Sequence, residues 1–426
     1  MSLATSSPLP RHIKFIYGLG DWGTAASTTA RNVFWFFFLT SVVGMDAGLV
    51  GTILLVGRLW DGINDPLIGM LTDRVNTRWG RRRPFLLFAA VPFGVSFALL
   101  FFVPPGATTG QLVIYYIVAS LITGGLFKFV AEQVIAPRLG GGAAALQTGY
   151  ALSAALWGLS MIIPYFILFG AVREPQSHQE AVPIRPLQTF REVFSNRPFR
   201  LGATIYLLTF ATVDVVLLIF VRFLIDYVRV PLGFDNLLLA IVLGLALITL
   251  PLTVKMMHRF GKRRTYIGSM VFLSIVLLIM SQVPPGGHTM VLIAAIFGGL
   301  GYGAANVIPW AMVADVIEVD ELRTGQRREG VYYGYLVFFR KLASAVAAFS
   351  AGHLLSAAGY VSSRQGSAFI EQPESALLVM RLLVGVVPAV MLFFSIIAAW
   401  RYPLDRETHR NIRRQLAQRR GEAPPQ

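Results

Sequence analysis

Eleven long apolar stretches, separated by short polar punctuation, dominate this 426-residue chain. They fall at 13–42, 47–73, 84–103, 110–137, 143–171, 200–225, 235–257, 265–283, 289–314, 330–357 and 375–400. About 20 apolar residues are what a helix needs to cross the hydrocarbon core of a bilayer. Only helices and closed barrels satisfy their own backbone polar groups there, and continuous runs of this length read as helices rather than alternating strands. The chain is therefore expected to be an all-α polytopic membrane protein. Composition agrees, with 55% of residues hydrophobic and only 14% charged, where a soluble domain is about a quarter charged.

The charges that remain are distributed unevenly. Lys and Arg number 37 against 22 Asp and Glu, a net of +15. In a membrane chain that excess marks cytoplasmic loops and not a nucleic-acid partner. Arg78, Arg81, Arg82 and Arg83 follow the second stretch, and Arg259, Lys262, Arg263 and Arg264 hold the corresponding place in the second half. Pro104-Pro105-Gly106 and Pro284-Pro285-Gly286 form uncharged turns on the opposite side. This repetition, with an arginine-rich polar segment at 172–199, predicts an N-terminal bundle over 1–171, a cytoplasmic linker, a six-helix bundle over 200–400 and a basic cytoplasmic tail over 401–426. Two tandem bundles are the layout of major-facilitator transporters. A six-plus-six arrangement needs twelve spans, and the shortfall of about one helix lies between 138 and 174. The expectation there is one continuous helix over 143–171, interrupted only by Pro164. The short polar N-terminus before the first stretch reads as the start of an uncleaved helix in an inner (plasma) membrane protein. No cysteine is present, which excludes thiol catalysis, disulfides and thiolate metal sites.

Ionisable residues inside apolar stretches are functional candidates, because each costs roughly 2.5–3.5 kcal/mol at a helix centre. The densest set runs Gly57-Arg58-Leu59-Trp60-Asp61-Gly62-Ile63-Asn64-Asp65-Pro66. Arg58, Asp61 and Asp65 are three and four residues apart and so share a helix face. Two carboxylates with the Asn64 amide suit Na⁺, and a carboxylate whose pKa its neighbour raises suits H⁺ instead. Lys128 and Glu132 form an i,i+4 pair that reads equally as structural or solute-contacting. Arg340 and Lys341 lie deep in the stretch 330–357, with Lys341 placed to compete with a cation at Asp61 and Asp65. Asp21 with Arg31, and Asp214 with Arg222 two turns apart, are further candidates. His353 reads as a helix-contact residue, and the run Phe34-Trp35-Phe36-Phe37-Phe38 as lipid-facing or interfacial. Trp22 and Trp310 are the tryptophans best placed to stack on a solute. No nucleophile triad, metal motif or phosphate-cradling loop appears, so no enzyme and no cofactor is expected beyond the coupling ion.

With those residues assembled, the chain resembles the glycoside–pentoside–hexuronide:cation symporter family of the major facilitator superfamily. Tyr17-Gly18-Leu19-Gly20-Asp21-Trp22-Gly23 is similar to that family's opening helix. The block from Val50 to Pro66, ending Arg78-Trp79-Gly80-Arg81-Arg82-Arg83-Pro84, resembles its most specific signature. Met312-Val313-Ala314-Asp315, Thr324-Gly325-Gln326-Arg327-Arg328-Glu329-Gly330 and Lys341 resemble its second-half signature. The resemblance implies a cation site at Asp61, Asn64 and Asp65, with Lys341 near it and Arg58 as a helix-packing and gating charge. Asp315 and Arg340 are further coupling or gating candidates, and the solute cavity is expected to touch Asp21, Trp22, Lys128, Glu132, Asn306 and Trp310. The implied activity is Na⁺- or H⁺-coupled symport of a sugar or glycoside-like small molecule by alternating access. A lipid-like or other non-sugar solute, or a non-transporting membrane sensor, is the alternative. The family's acidic residue on the first helix falls here at Ala25, its partner on the fourth near Phe129, and its fifth-helix arginine has no match around Ala151.

Asp61→Cys and Asp65→Cys are each expected to abolish gradient-driven accumulation at unchanged expression, measured as solute uptake into membrane vesicles. Concentrative uptake by both single variants would remove these carboxylates from the cation site.

Overall fold

The computed structural model describes residues 34–74, most of 91–120, scattered residues between 151 and 167, 186–231, 233–325, 328–362 and 371–420. Side chains at 61–74, 117–120, 186–189, 330 and 420 fall outside that description. The helices are α1 (Ala47–Arg74), α2 (Thr109–Ser120), α3 (Pro186–Ser195), α4 (Arg197–Arg222), α5 (Phe234–Phe260), α6 (Lys262–Met280), α7 (His288–Thr324), α8 (Glu329–Ala357), α9 (Glu374–Arg381), α10 (Val387–Trp400) and α11 (Arg406–Arg420). A π turn at Phe223–Val228 extends α4, and another at Leu382–Val386 joins α9 to α10. No strand occurs among the described residues, so the all-α expectation holds.

Among the described residues, six helical segments are long and apolar enough to cross a membrane: Arg197–Val228, Phe234–Phe260, Lys262–Met280, His288–Thr324, Val331–Ala357 and Glu374–Trp400. Each coincides with one of the apolar stretches that follow Asn196. Most of the region 138–174, where the sequence is short of a helix, lies outside the described residues. The chain divides into two compact units. The first comprises Met1–Met45, Ile63–Glu180 and Ser362–Ala368, and the second Asp46–Gly62, Ala181–Val361 and Phe369–Gln426.

In the first unit, a π turn at Phe38–Val42 follows the aromatic run. That run is not lipid-facing as expected from its composition. Phe34, Trp35, Phe36, Phe37 and Phe38 are all buried. Trp35 Nε1 donates to the Leu100 carbonyl at 3.3 Å, and the Phe38 ring meets Phe101 at 5.1 Å. Aromatic rings satisfy a packed interior as well as a lipid one, and here the Trp35 indole N–H finds its acceptor inside. The turn expected at Pro104-Pro105-Gly106 and its counterpart at Pro284-Pro285-Gly286 share a backbone feature. Gly106 and Gly286 both take the left-handed conformation, at φ +72° and +78°, which a residue with a Cβ adopts only at a cost.

The second unit is built around α4, the most enclosed of its apolar helices, which packs on α7, α8 and α10. By contrast α5 turns Leu247, Ile248 and Leu252 outward, and α10 turns out Phe393, Phe394 and Trp400. These exposed apolar side chains form the surface a bilayer covers. Pro251 inside α5 and Pro309 inside α7 each remove one intrahelical hydrogen bond, which membrane helices tolerate.

Close helix crossings fix the packing. A Cβ on Gly352 would stand 2.5 Å from the Ala47 carbonyl and 2.9 Å from the Gly51 Cα, so α8 and the start of α1 meet backbone to backbone. Arg58 spans the same crossing and donates from Nη1 to the Ser344 carbonyl at 2.5 Å. His353 is a contact residue here, with Nε2 3.3 Å from Thr52 Oγ1 and its ring on Phe349. In lipid, where apolar contact gives no net drive between helices, small residues at such a crossing supply the attraction. Gly352→Leu is therefore expected to lower stability by about 1–3 kcal/mol through overpacking, read as a fall in the unfolding midpoint of the purified protein, while Gly334→Leu, whose added Cβ meets open space, leaves it nearly unchanged.

Candidate functional site

Three helices of the second unit each carry a stripe of polar or aromatic residues at helical spacing. On α4 the stripe is Tyr206, Phe210 and Asp214; on α7 it is Tyr302, Asn306 and Trp310; on α8 it is Tyr333 and Arg340. Steps of four and seven keep such residues on one face of a helix. The three stripes meet. The Trp310 ring lies edge-on to Tyr206 at 4.9 Å, and stands 6.3 Å from Phe210 and 5.8 Å from Tyr333. The Arg340 guanidinium sits over the Phe210 ring at 4.2 Å from its centroid, a cation–π contact worth about 0.5–2 kcal/mol. Asn306 donates from Nδ2 to the Tyr302 carbonyl at 3.0 Å, one turn back on its own helix.

In this aromatic wall the Tyr206 hydroxyl lies in the field of Arg340, and Tyr206 Oη and Arg340 Nε are buried with no well-formed hydrogen bond among the described residues. Buried polar groups are almost always satisfied, so unsatisfied ones in a native fold call for an explanation. The wall offers flat aromatic faces beside a fixed cation, the combination that a polar ring-shaped solute stacks on. The apolar cavity between α4, α5, α6 and α7, about 70 Å³ and lined by Leu217, Leu239 and Leu277 among others, is too small and too dry for that purpose.

Charges gather at the opposite end of α7 from His288. At about 1.5 Å per residue its 37 residues run roughly 55 Å, well beyond the bilayer core, so its last turns leave the apolar zone. Asp315 is buried there, accepts from Lys262 Nζ at 2.5 Å and lies 3.2 Å from His409 Nε2. His409 also reaches Glu318 Oε2 at 2.7 Å, which ties α11 to α7. Neither Lys262 nor His409 stood out as a partner for Asp315 in the sequence, since they lie 53 and 94 residues from it. Asp320, nearly fully buried, receives Arg328 through Nε to Oδ2 at 3.1 Å and Nη2 to Oδ1 at 3.1 Å. Arg328 Nη1 extends to Glu192 Oε2 on α3 at 2.9 Å. One guanidinium thus clamps the linker helix to the end of α7. Burial alone would lower the Arg328 pKa, but its hydrogen bonds to Glu192 and Asp320 outweigh that and raise it.

The remaining candidates divide by what the structure describes. The backbone of α1 is helical through Asp61, Asn64 and Asp65, but their side chains lie outside the described set. Asp21, Trp22, Lys128 and Glu132 lie outside it altogether. Lys341 is half-buried on α8 next to Arg340. Arg222 forms an ion pair with Asp226 at 3.2 Å, inside the π turn that extends α4. Two-turn spacing pairs Asp214 with Arg222, whereas the partner in the structure is Asp226, one turn on.

The sequence pattern of the MFS/sugar transport protein family matches residues 16–136 and 117–406. An uncharacterised symporter of Synechocystis is 27% identical, with 95% of this chain and 96% of that protein covered. The glucuronide carrier protein homolog of Escherichia coli is 27% identical, with 93% of each chain covered. Among solved structures, the inward-facing crystal structure of a bacterial homologue of the iron transporter ferroportin superposes with a TM-score of 0.58 at 13% identity, covering 93% of this chain and 99% of that one.

Asp320→Asn is expected to cost about 3 kcal/mol, because it leaves Arg328 without its buried counter-charge. The check is the unfolding midpoint of the purified variant; an unchanged midpoint would show that Glu192 alone suffices for Arg328.

Proposed function

The chain belongs to the glycoside–pentoside–hexuronide:cation symporter family of the major facilitator superfamily, and from that premise we propose that it couples uptake of a sugar or glycoside-like solute to Na⁺ or H⁺ by alternating access. That it is a secondary transporter of a small molecule in a membrane follows from the family itself. The finer reading is supported chiefly by the wall formed by Tyr206, Phe210, Trp310, Tyr333 and Arg340. Sugar rings present apolar C–H faces and polar edges. Trp310 is the flat partner for the face, while Arg340 and Asn306 are donors for the edge.

On this reading the coupling ion occupies Asp61 and Asp65, with Asn64 as a neutral ligand, and Arg58 holds that helix against α8. A cation at the carboxylate pair removes their mutual repulsion, and so favours the conformation in which the pair is buried. Lys341, a fixed positive charge on α8, opposes cation binding and favours release. On this reading the protein lies in the inner membrane, with its basic loops and tail on the cytoplasmic side. No enzymatic step is assigned.

The test is uptake of a panel of radiolabelled glycosides and sugar acids into proteoliposomes under an imposed Na⁺ or H⁺ gradient. One gradient is expected to drive accumulation above equilibrium, and an ionophore to abolish it. Lys341→Ala is expected to shift the cation titration more than the solute titration. Uptake indifferent to both gradients would overturn the symport reading.

A further inference from the structure

Apart from the aromatic wall, the second unit has a polar cavity of about 280 Å³ between the α5–α6 turn, the end of α7 and the start of α11. That is more than ten times the space a single water requires. Three arginines of α11 line it, Arg406, Arg410 and Arg413, together with Lys262 of α6. We propose that this cavity binds a phosphate group, carried either by a phospholipid headgroup or by a soluble phosphate compound.

The charge balance of the cavity carries the argument. Its two acids, Asp315 and Asp405, are already engaged. Asp315 accepts from Lys262 and lies beside His409, and Asp405 Oδ1 accepts the Thr408 amide at 2.8 Å as the cap of α11. Two of the three arginines are not matched in the same way, while Arg413 lies in the field of Glu318 on α7. Among the described residues Arg410 makes no hydrogen bond or ion pair, and Arg406 reaches only the Arg259 carbonyl at 3.2 Å. Arg406, Arg410 and Arg413 stand at i, i+4 and i+7, so one face of a single helix carries three like charges into one cavity. Such spacing destabilises a helix on its own, and an anion seated among the three converts the repulsion into attraction. Planar guanidinium groups pair with phosphate oxygens two bonds at a time, which an isolated ammonium cannot do. An occupant bridges α11 to the α5–α6 turn, and so tightens the cover over the Lys262–Asp315 pair.

Hydrogen exchange of the amides of α11, followed by mass spectrometry on the full-length protein in phosphatidylcholine nanodiscs, tests this. One arm adds inorganic phosphate against chloride at matched ionic strength, and the other replaces part of the lipid with phosphatidylglycerol. At tenfold saturation, exchange in α11 is expected to slow about tenfold. Slowing by phosphate identifies a soluble ligand, and slowing by phosphatidylglycerol alone identifies a headgroup. Arg410→Gln with Arg413→Gln is expected to abolish the effect and Arg410→Gln alone to weaken it, while Arg414→Gln, outside the cavity, retains it. Unchanged exchange in α4 and α7 verifies the fold of each variant. No slowing in either arm, equal slowing by chloride, or full slowing in the double variant would overturn the proposal.

Discussion

Lipid offers no hydrogen-bond partner, and everything in this molecule follows from that one constraint. Backbone amides that cross the bilayer close their bonds within helices, and the described residues contain no other regular structure. Side-chain charge is held to the same standard. Asp315 and Asp320 are buried, and each is met by a cation from a different part of the chain. Arg222 pairs with Asp226 within one turn, and Tyr360 donates to the same carboxylate. Breaking any of these pairs costs more than the pair itself contributes, because the surviving charge stays buried without a partner.

The length of α7 distributes the work between two ends of one element. Its apolar half presents Tyr302, Asn306 and Trp310 to α4 and α8, where the aromatic wall forms. Its final turns project past the apolar zone, where Asp315, Glu318 and Asp320 receive Lys262, His409 and Arg328.

Close approach of backbones holds helices together as well. Gly352 against Ala47 and Gly51 joins α8 to the start of α1, and Gly303 against Ala246 joins α7 to α5. Arg58, bonded to the Ser344 carbonyl, lies on the same helix as Asp61 and Asp65.

The sequence by itself determined how many apolar helices follow Asn196, where the basic loops and the Pro-Pro-Gly turns fall, and which residues carry charge into the membrane. Period and spacing along one chain carry that information directly. Only the tertiary structure decided which charges meet, for Asp315 finds Lys262 and His409 across 53 and 94 residues, and Arg328 joins Asp320 to Glu192. It also decided that the run from Phe34 to Phe38 is interior and that Trp310 shares a cluster with Tyr206 and Arg340. The reason is physical. Hydrocarbon tails are as apolar as a leucine side chain, so a membrane helix shows no contrast between its lipid face and its packed face. Rotation of each helix about its own axis is then set by glycine crossings and ion pairs with distant partners, which no single helix contains.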